Sequence, residues 1–317
     1  MTARAYEDRV FNLDEMLGDA APPPADFVVE GYLERATHML LCGRGGLAKT
    51  MFLNQLCAAA CSPEFPYDLG LEVRGQRIVW FDAEMGEQGT KRRYWDTKLR
   101  SYLDERITYI NAAGLDLTLK DDYDFVRSSI DGADLVVIDS LRRLTRAAVE
   151  NSSDEMSAVV TDISDLAHDL GPGILTIHHQ GGDPHKWFRG STAIFDACDS
   201  LVGWLPHTFD GEDDKLRRLA AQGTWAKVRH GKEPPDRWFR QTDSGLLVPE
   251  EAPEQVIAGK WDAVIREHLP FDGTKKALAE ACGTNSRNNA WSDAYDRTAR
   301  YDPGPKTHIA VGEEPGI

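Results

Sequence analysis

The sequence predicts an α/β fold with a largely parallel central β-sheet and an antiparallel edge. From Phe27 onward, short apolar runs alternate with segments of helical length and pattern, which is typical of βα units in a parallel sheet. After Thr224 the chain turns to short strand-like runs separated by turns, which indicates an antiparallel edge. A glycine-rich turn between the first strong strand and helix places a phosphate-binding motif inside this pattern.

The predicted elements follow in order along the chain. Strands are expected at residues 39–42, 77–82, 107–111, 135–139, 174–178, 200–205, 225–229, 238–241 and 245–248. Helices are expected at residues 49–61, 88–103, 123–130 and 154–170. Residues 27–250 thus form the α/β domain, with an N-terminal arm at 1–26 and a small helical extension at 251–317.

The arm has a weak pattern. Residues 10–17 allow two helical turns, and residues 20–24 form a stiff, proline-rich spacer. One interpretation is a frayed terminus, and the other is a short helix that docks on a neighbouring subunit.

Composition and charge restrict the class of protein. The 317 residues are 41% hydrophobic and 28% charged, as in ordinary globular proteins. No apolar run is long enough to span a bilayer, and residues 1–19 lack the apolar core of a signal peptide, so we expect a cytoplasmic protein without a membrane partner. Five cysteines without a C-x-x-C pair indicate reduced thiols. The net charge of −16 disfavours a protein that coats DNA with its outer surface, but allows contacts confined to a few loops.

The phosphate-binding motif comprises Gly43, Arg44, Gly45, Gly46, Leu47, Ala48, Lys49 and Thr50. Backbone N–H groups of such a loop and the following helix N-terminus bind a polyphosphate. Lys49 is expected to reach the β- and γ-phosphates, and the Thr50 hydroxyl to ligate Mg²⁺. Ala48 replaces the second glycine of G-x-x-x-x-G-K-[ST], and its methyl group either crowds the phosphates or is accommodated in helical φ/ψ. The alternative is a turn with no ligand.

Carboxylates follow two of the predicted strands. Asp139 ends a buried apolar run, where an acid can hold Mg²⁺, usually through water. Glu84 follows a strand that we expect to neighbour the phosphate-loop strand, and there it can deprotonate the water that attacks the γ-phosphate. Asp82 is the alternative base, and a surface acid in a turn is the alternative to both.

Three further groups of residues are candidates for coupling ATP hydrolysis to neighbouring loops or subunits and for contacting nucleic acid. His178 and His179 end the next strand, where a polar cluster can contact the γ-phosphate. The basic loops that follow two strands are either single-strand contacts or solvated turns; they contain Arg142, Arg143, Arg146 and Lys186. The cations Arg189, Lys227 and Arg229 either complete a neighbouring subunit's active site or are ordinary edge-strand charges.

Together these motifs resemble the plasmid RepA-type hexameric replicative helicases, within the wider RecA/DnaB-like ring ATPases. The resemblance covers roughly residues 27–249 in the same order. It implies a RecA-like P-loop NTPase core, a homohexameric ring, ATP with Mg²⁺, single-stranded DNA in the pore, and initiator or primase proteins as candidate partners.

The resemblance also implies roles for single residues. Lys49 and Thr50 would bind phosphate and metal, Glu84 would be the base, and Asp139 the acid near the metal. His179 would sense the γ-phosphate. Some ring ATPases supply a cation, called a finger, to the active site of the neighbouring subunit. Arg189 matches the finger of RepA-type helicases, and Lys227 and Arg229 match the K-x-R-x-G finger pair of DnaB-like rings. Ala48 and the extension after residue 250 depart from the family pattern.

The extension is predicted to hold three helices and a disordered tail. They span residues 258–268, 274–283 and 286–301, and the tail spans 302–317. Ala279 and Gly283 fit a helix-turn-helix, so the extension contacts either DNA or replisome proteins, or it packs as a cap.

Three functions remain open from the sequence. The first is a ring-forming, single-strand-stimulated ATPase that unwinds DNA for a plasmid, phage or other mobile element. The second is a RecA-like ATPase for recombination mediation or defence without processive unwinding. The third is an ATP-switched DNA-binding regulator.

Overall fold

The protein was analysed as a computed structural model, and the chain divides into two compact units, Met1–Glu250 and Glu251–Ile317. The structure describes residues 13, 24–66, 69–75, 77–145, 153–181, 187–188, 192–207, 216–222, 226–229, 233–252, 265, 267–269, 271–272, 274–283, 295, 299–302 and 307–310. The predicted arm helix at residues 10–17 lies outside the described residues apart from Leu13.

The first unit alternates strands and helices. Its strands are β1 Phe27–Val29, β2 Leu33–Glu34, β3 His38–Gly43, β4 Ile78–Asp82, β5 Ile107–Asn111, β6 Leu135–Asp139, β7 Gly173–His179, β8 Ser200–His207, β9 Leu216–Ala220, β10 Lys227–Val228, β11 Arg237–Gln241 and β12 Leu247–Glu250. Its helices are α1 Lys49–Cys61, α2 Gly86–Asp96, α3 Lys120–Ser129, α4 Ser153–Leu170 and α5 Ala193–Ala197, with 3₁₀ turns at Leu99–Tyr102 and Leu141–Leu144.

Ten strands form one sheet in the order β12-β11-β9-β8-β3-β7-β6-β4-β5, and β10 pairs with β8. Six neighbouring strands of this sheet are parallel to one another, in the spatial order β5, β4, β6, β7, β3 and β8. Strands β9, β11 and β12 continue the sheet beyond β8 in antiparallel pairs, and β10 is antiparallel to β8. The predicted parallel sheet with an antiparallel edge is confirmed. Both faces of the sheet are covered, which explains why a strand such as β6 is apolar and buried along its length.

Two apolar layers hold the helices against the sheet. On one face Phe52 of α1 packs against Trp204 and Phe239, with ring centroids 4.8 and 5.6 Å apart. On the other face Met156 and Val160 of α4 are buried in the same cluster as Leu40, Val136 and other strand residues. Each aromatic side chain of this kind buries a large apolar area, so α1, which begins at the phosphate loop, is firmly anchored.

The register brings the functional strand ends to one edge. Gly43 at the end of β3 lies opposite His179 at the end of β7. Asp82 at the end of β4 lies opposite Asp139 at the end of β6. Ligands of open α/β sheets bind outside the carboxyl ends of the strands, which is where these residues meet.

The order of strands corrects one expectation. Strand β4, which leads to Glu84, was expected beside the phosphate-loop strand, but its neighbours are β5 and β6. Strands β7 and β8 flank β3 instead. Strands β3 and β4 are consecutive along the chain, but β7 and β6 lie between them in the sheet, so their spatial order was not readable from adjacency along the chain.

The second unit was predicted to be helical, but it also contains a β-sheet. Helix α6 Lys275–Ala281 is present, and Thr274 caps it by accepting a hydrogen bond from the Ala277 N–H at 3.2 Å. However, β13 Phe271–Asp272, β14 Ala299–Asp302 and β15 Thr307–Ala310 form an antiparallel sheet in the order β13-β15-β14.

Two predictions about the extension are therefore wrong. The third helix was expected to run to residue 301, and a disordered tail was expected from residue 302, but β14 and β15 pair along four positions from Ala299↔Ala310 to Asp302↔Thr307. The backbone hydrogen bonds of this hairpin replace those of a helix end. The helix-turn-helix stays a prediction, because most of residues 284–298 lie outside the described part of the chain. Among the described residues, no helix is both long and apolar enough to cross a membrane.

Candidate nucleotide site

The loop between β3 and α1 has the backbone of a phosphate cradle. Gly43 has no room for a side chain, because a Cβ there would lie 2.2 Å from the Trp204 carbonyl oxygen. Gly46 has φ +77°, which glycine adopts at no steric cost. Ala48 has φ +66° and ψ 23°, so its backbone is left-handed and not helical. Of the two alternatives for Ala48, accommodation in helical φ/ψ is therefore excluded, and this alanine carries strain of about 1–2 kcal/mol.

Lys49 lies at the start of α1 and is almost fully buried. Its Nζ donates hydrogen bonds to the carbonyl oxygens of Gly43 at 2.8 Å and Arg44 at 2.6 Å. Burial lowers the pKa of Lys49 to about 8, and the nearby carboxylates of Asp139 and Glu84 partly oppose this effect. The side chain folds over its own loop, at the position where phosphate oxygens can replace the two carbonyl acceptors.

Thr50 and Asp139 form the candidate metal site. The Thr50 hydroxyl donates to Oδ2 of Asp139 at 2.7 Å. Burial raises the pKa of Asp139 to about 6, and the Thr50 hydrogen bond opposes this rise. The pair offers two oxygen ligands beside the loop, a donor set that fits Mg²⁺, since this ion takes few protein ligands and the remainder from phosphate and water.

Glu84 lies just beyond β4 and is held by three side chains. Ser140 Oγ donates to its Oε1. His179 Nε2 lies 3.5 Å from the same oxygen, and Arg143 Nε lies 3.7 Å from Oε2. These partners, His179 first, lower the pKa of Glu84 to about 2, against the effect of burial. Glu84 is therefore ionised, and its contacts connect the end of β4 to the ends of two other strands, β6 and β7.

Asp82, the alternative base, has a different role. Its Oδ1 accepts the N–H groups of Glu84 and Met85, and its Oδ2 accepts the hydroxyls of Thr90 and Tyr109. The carboxylate is 3% exposed. With both oxygens occupied it fixes the start of α2, so it positions Glu84 and does not compete with it for water.

These residues surround one cavity of about 400 Å³. Its wall includes residues 46–51 of the loop and α1, together with Glu84, Arg93, Asp139 and His179. All of these residues except Met51 and Arg93 were predicted from the sequence, and no role was predicted for Ser140, which orients Glu84. Arg93 lies within the predicted helix 88–103, and nothing in that pattern marks it from its neighbour Arg92.

Lys227 and Arg229, the predicted finger pair, lie near the amino ends of the parallel strands, whereas the nucleotide cavity lies at their carboxyl ends. Lys227 lies opposite Leu201 near the start of β8, and its Nζ donates to the carbonyl oxygens of Phe195, Asp196 and Cys198 at 2.6, 3.1 and 2.6 Å. Arg229 Nη1 lies 3.2 Å from Oδ1 of the buried Asp199. Both cations are thus engaged within their own chain, and their finger role stays a prediction.

The candidate nucleic-acid residues are only partly described. Arg142 and Arg143 lie in the 3₁₀ turn that follows Asp139, and both are exposed. Arg146, Lys186 and Arg189 lie outside the described residues. The turn places Arg143 between solvent and Glu84.

Comparison with known families agrees with this geometry. A family model described as an AAA domain matches residues 5–184, which is more than half of the chain and includes the loop, Glu84, Asp139 and His179. The match also supports the RecA-like P-loop NTPase core that the sheet order indicates. On this evidence the chain belongs to the AAA domain family of P-loop ATPases.

Proposed function

We propose that the protein is a ring-forming ATPase stimulated by single-stranded DNA, and that it acts as a replicative helicase of a plasmid, phage or other mobile element. The observation that carries the proposal is the contact between Arg143 and Glu84, whose Nε and Oε2 are 3.7 Å apart. It joins a basic loop suited to DNA to the carboxylate suited to activating water. ATP hydrolysis itself is supported by the family.

The loop and α1 bind the phosphates of ATP. Backbone N–H groups and the helix N-terminus supply partial positive charge, and Lys49 adds a full charge that exchanges its two carbonyl partners for phosphate oxygens. Thr50 and Asp139 would hold Mg²⁺, which would supply positive charge beside the phosphates.

Glu84 accepts the proton of the attacking water. A carboxylate with a pKa near 2 is a poor base, because efficient proton transfer requires a pKa closer to the working pH. His179 and Ser140 lower this pKa the most, and the charge of Arg143 adds the smallest of the named contributions, which any ligand that draws Arg143 away removes. DNA phosphates bound at Arg143 therefore raise the basicity of Glu84, which gives a physical reason for stimulation by DNA.

The ring is the second part of the proposal. Lys227 and Arg229 lie at the amino end of β8, whereas Lys49 follows the carboxyl end of β3, which pairs with β8 in parallel. The two cations therefore act on a nucleotide only in a neighbouring subunit. A homohexamer with these residues and Arg189 at each boundary, and with initiator or primase proteins as partners, is the assembly we propose.

The first test measures steady-state ATP hydrolysis with and without single-stranded DNA. The wild-type protein is expected to respond to DNA. Arg143→Ala is expected to hydrolyse faster without DNA and to lose the response, because the one group that DNA can draw away from Glu84 is already absent, while Ser140 and His179 still contact it. Arg127→Ala, which removes an exposed arginine paired with Asp169 at a distance of 3.3 Å, is the control and should behave as wild type. Hydrolysis indifferent to DNA would overturn the proposed DNA motor.

A second measurement separates the helicase from the other two functions. Unwinding of a duplex that requires a single-stranded tail supports the helicase, and stimulation without unwinding supports recombination mediation or defence. The regulator is favoured by one observation, the compact second unit with its capped helix and sheet. A sequence-specific footprint that depends on residues 251–317 would support it.

A further inference from the structure

A second cleft, which we call the edge cleft, lies beside the last strand of the ten-stranded sheet. It is bounded by α2, the 3₁₀ turn Leu99–Tyr102 and strands β4 and β5, and its volume of about 660 Å³ exceeds that of the nucleotide cavity. Helix α2 has no fully buried residue, although a helix that packs on a sheet usually buries one apolar stripe. The edge cleft thus takes the place of an apolar layer between this helix and the sheet.

Aromatic rings form much of the wall of the edge cleft. Trp80 of β4 and Tyr109 of β5 lie opposite each other in the parallel register, and Tyr94 lies on α2. Trp80 is 3% exposed, whereas Tyr109 is 36% exposed, so the phenol ring is accessible to a ligand. Clefts of this size with aromatic walls and a few polar groups are typical of small-molecule sites, and flat ring faces favour a flat ligand.

Hydrogen-bonding groups lie among these rings. The hydroxyls of Thr90 and Tyr109 both donate to Oδ2 of Asp82, at 2.6 and 2.9 Å. Because their hydrogens are used in this way, the two hydroxyl oxygens face a ligand as acceptors. A ligand that matches the edge cleft therefore has a flat ring with hydrogen-bond donors at its edge.

The segment that forms the outer side of the edge cleft is strongly basic. Residues 91–100 carry five cations and one acid, in a chain whose net charge is −16. Lys91 and Arg100 line the cleft, and Lys91 is paired with Glu87, which leaves Arg100 as the cation for an anionic group of a ligand. Trp95 of the same segment is 77% exposed. Cations beside accessible aromatic rings suit a base together with its phosphate.

The acids in the wall do not cancel this preference. Of Asp104 and Glu105, which both line the edge cleft, Asp104 is paired with Arg106 at 2.6 Å. This pairing holds the pKa of Asp104 at about 2, so the carboxylate stays ionised and bound to its guanidinium partner. Glu105 then faces Arg100 as a single acid at the mouth of the cleft.

We infer that the edge cleft binds a nucleobase, stacked on Tyr109, with the phosphate of the same nucleotide at Arg100 where one is present. A nucleobase is flat and carries hydrogen-bond donors and acceptors at its edge, which matches the rings and hydroxyls of the wall. A free nucleoside and a single strand of nucleic acid both present this chemistry. Among the described residues none lines both this cleft and the nucleotide cavity, so the two sites are separate. The inference depends neither on the proposed DNA motor nor on the ring.

The test compares Tyr109→Ala with Tyr109→Phe. Both variants lose the hydrogen bond to Asp82, so a difference between them comes from the ring alone. Binding of adenosine and of oligothymidylate is measured by calorimetric titration, with the nucleotide cavity filled by a non-hydrolysable Mg-ATP analogue. We expect Tyr109→Phe to bind like wild type and Tyr109→Ala to bind about fivefold more weakly or worse, since stacking of one base is worth about 1–3 kcal/mol.

Three further variants complete the test. Phe125→Ala removes a ring that is 45% exposed on α3, outside the cleft, and should bind like wild type. Tyr109→Leu keeps apolar bulk on β5 without a flat ring and should be as weak as Tyr109→Ala, which it replaces if the alanine variant unfolds. Arg100→Ala should weaken oligothymidylate but not adenosine, because only the oligonucleotide carries phosphate.

The two probes distinguish the sources of the base. A difference between Tyr109→Ala and Tyr109→Phe for adenosine supports the site and shows that a free nucleoside is sufficient. A difference confined to oligothymidylate supports the site as one for a base within a strand. Equal affinities of these two variants for both probes, or no binding of either probe by the wild-type protein, would overturn the inference.

Discussion

The two ends of strand β3 contrast sharply in how their polar groups are used. At the amino end His38 is fully buried, with Nδ1 3.1 Å from Ser164 Oγ and Nε2 3.0 Å from Thr176 Oγ1. The nearby Asp199 accepts the His38 N–H at 2.9 Å and lies 3.0 Å from His168 Nε2. Lys227 uses all three ammonium donors on carbonyl oxygens of its own chain.

At the carboxyl end the polar groups are less completely satisfied by hydrogen bonds within the protein. Lys49 binds carbonyl groups of its own loop, Arg93 has a buried donor without a partner among the described residues, and Glu84 is held by groups that follow two other strands, β6 and β7. The contrast teaches that burial and charge occur at both ends, and that unmet hydrogen-bonding capacity around a cavity distinguishes a ligand site from a structural network.

The largest expected effect is at the carboxyl end. Glu84→Gln keeps the shape of the side chain but removes the base, so we expect kcat for ATP to fall by about 10²–10⁴-fold while ATP binding is retained. Steady-state hydrolysis and nucleotide titration check both parts. Glu87→Gln, in the first turn of α2 just after Glu84 and exposed beside Lys91, is the control. Normal turnover by Glu84→Gln would exclude Glu84 as the base.

The amino end should respond to pH through His38. Burial lowers its pKa to about 4 from the 6.5 of an unfolded histidine. Between these values the unfolded chain binds the proton more tightly, so the stability that neutral His38 contributes is complete above pH 6.5 and lost as pH falls toward 4. We expect this residue alone to cost about 2 kcal/mol of unfolding free energy between pH 8 and pH 5.

Urea denaturation at both pH values measures this cost. The His38→Gln variant keeps hydrogen-bonding groups near Ser164 and Thr176 without a titrating ring. It should show a smaller loss of stability on acidification than wild type by that amount. An identical pH dependence in both proteins would contradict the assignment of His38 as a buried neutral histidine.

The smallest expected effect is at two strained alanines, one at each end of β3. Ala48 has φ +66° in the phosphate loop, and Ala36 has φ +55° just before β3. Substitution of either by glycine should relieve left-handed strain and stabilise the fold by up to about 1 kcal/mol. Only Ala48→Gly removes a methyl group from the cavity wall, so only this variant should bind Mg-ATP more tightly. Tighter binding by Ala36→Gly, or by neither variant, would refute the comparison.

Much of the fold could be predicted because buried parallel strands have a strong apolar signal. The bounds of β5 and β6 were predicted correctly, and α4 was placed within one residue. Strand β9 was missed because Arg217 and Arg218 interrupt its apolar pattern. The structure explains Arg217, which is 4% exposed and donates through Nε to the Leu47 carbonyl oxygen at 3.3 Å.

The features that were missed depend on strand pairing and on the rotation of a helix about its axis, which the residue pattern along the chain does not contain. The Ala299–Ala310 hairpin was missed although Pro303-Gly304 between its strands is a turn signal, because a helical pattern was extended across residue 299. Residues Lys49, Glu84, Asp139 and His179 were predicted to share a site, and they line one cavity. Arg93 was missed because the rotation of a helix about its axis, set here by Asp82, decides which of two adjacent arginines faces inward.

The most direct test of the contrast between the two ends is calorimetric titration of a non-hydrolysable Mg-ATP analogue into Lys49→Met and Lys227→Met. Both variants exchange a buried or half-buried lysine for a side chain of similar length. We predict that Lys49→Met weakens binding by about tenfold or more. We expect Lys227→Met to retain wild-type affinity, because a cation supplied to a neighbouring subunit stabilises the transition state of hydrolysis and not the bound nucleotide. It should melt at a lower temperature, because the three carbonyl groups that it leaves lose their donor. Loss of ATP affinity in Lys227→Met, or normal affinity in Lys49→Met, would contradict the account.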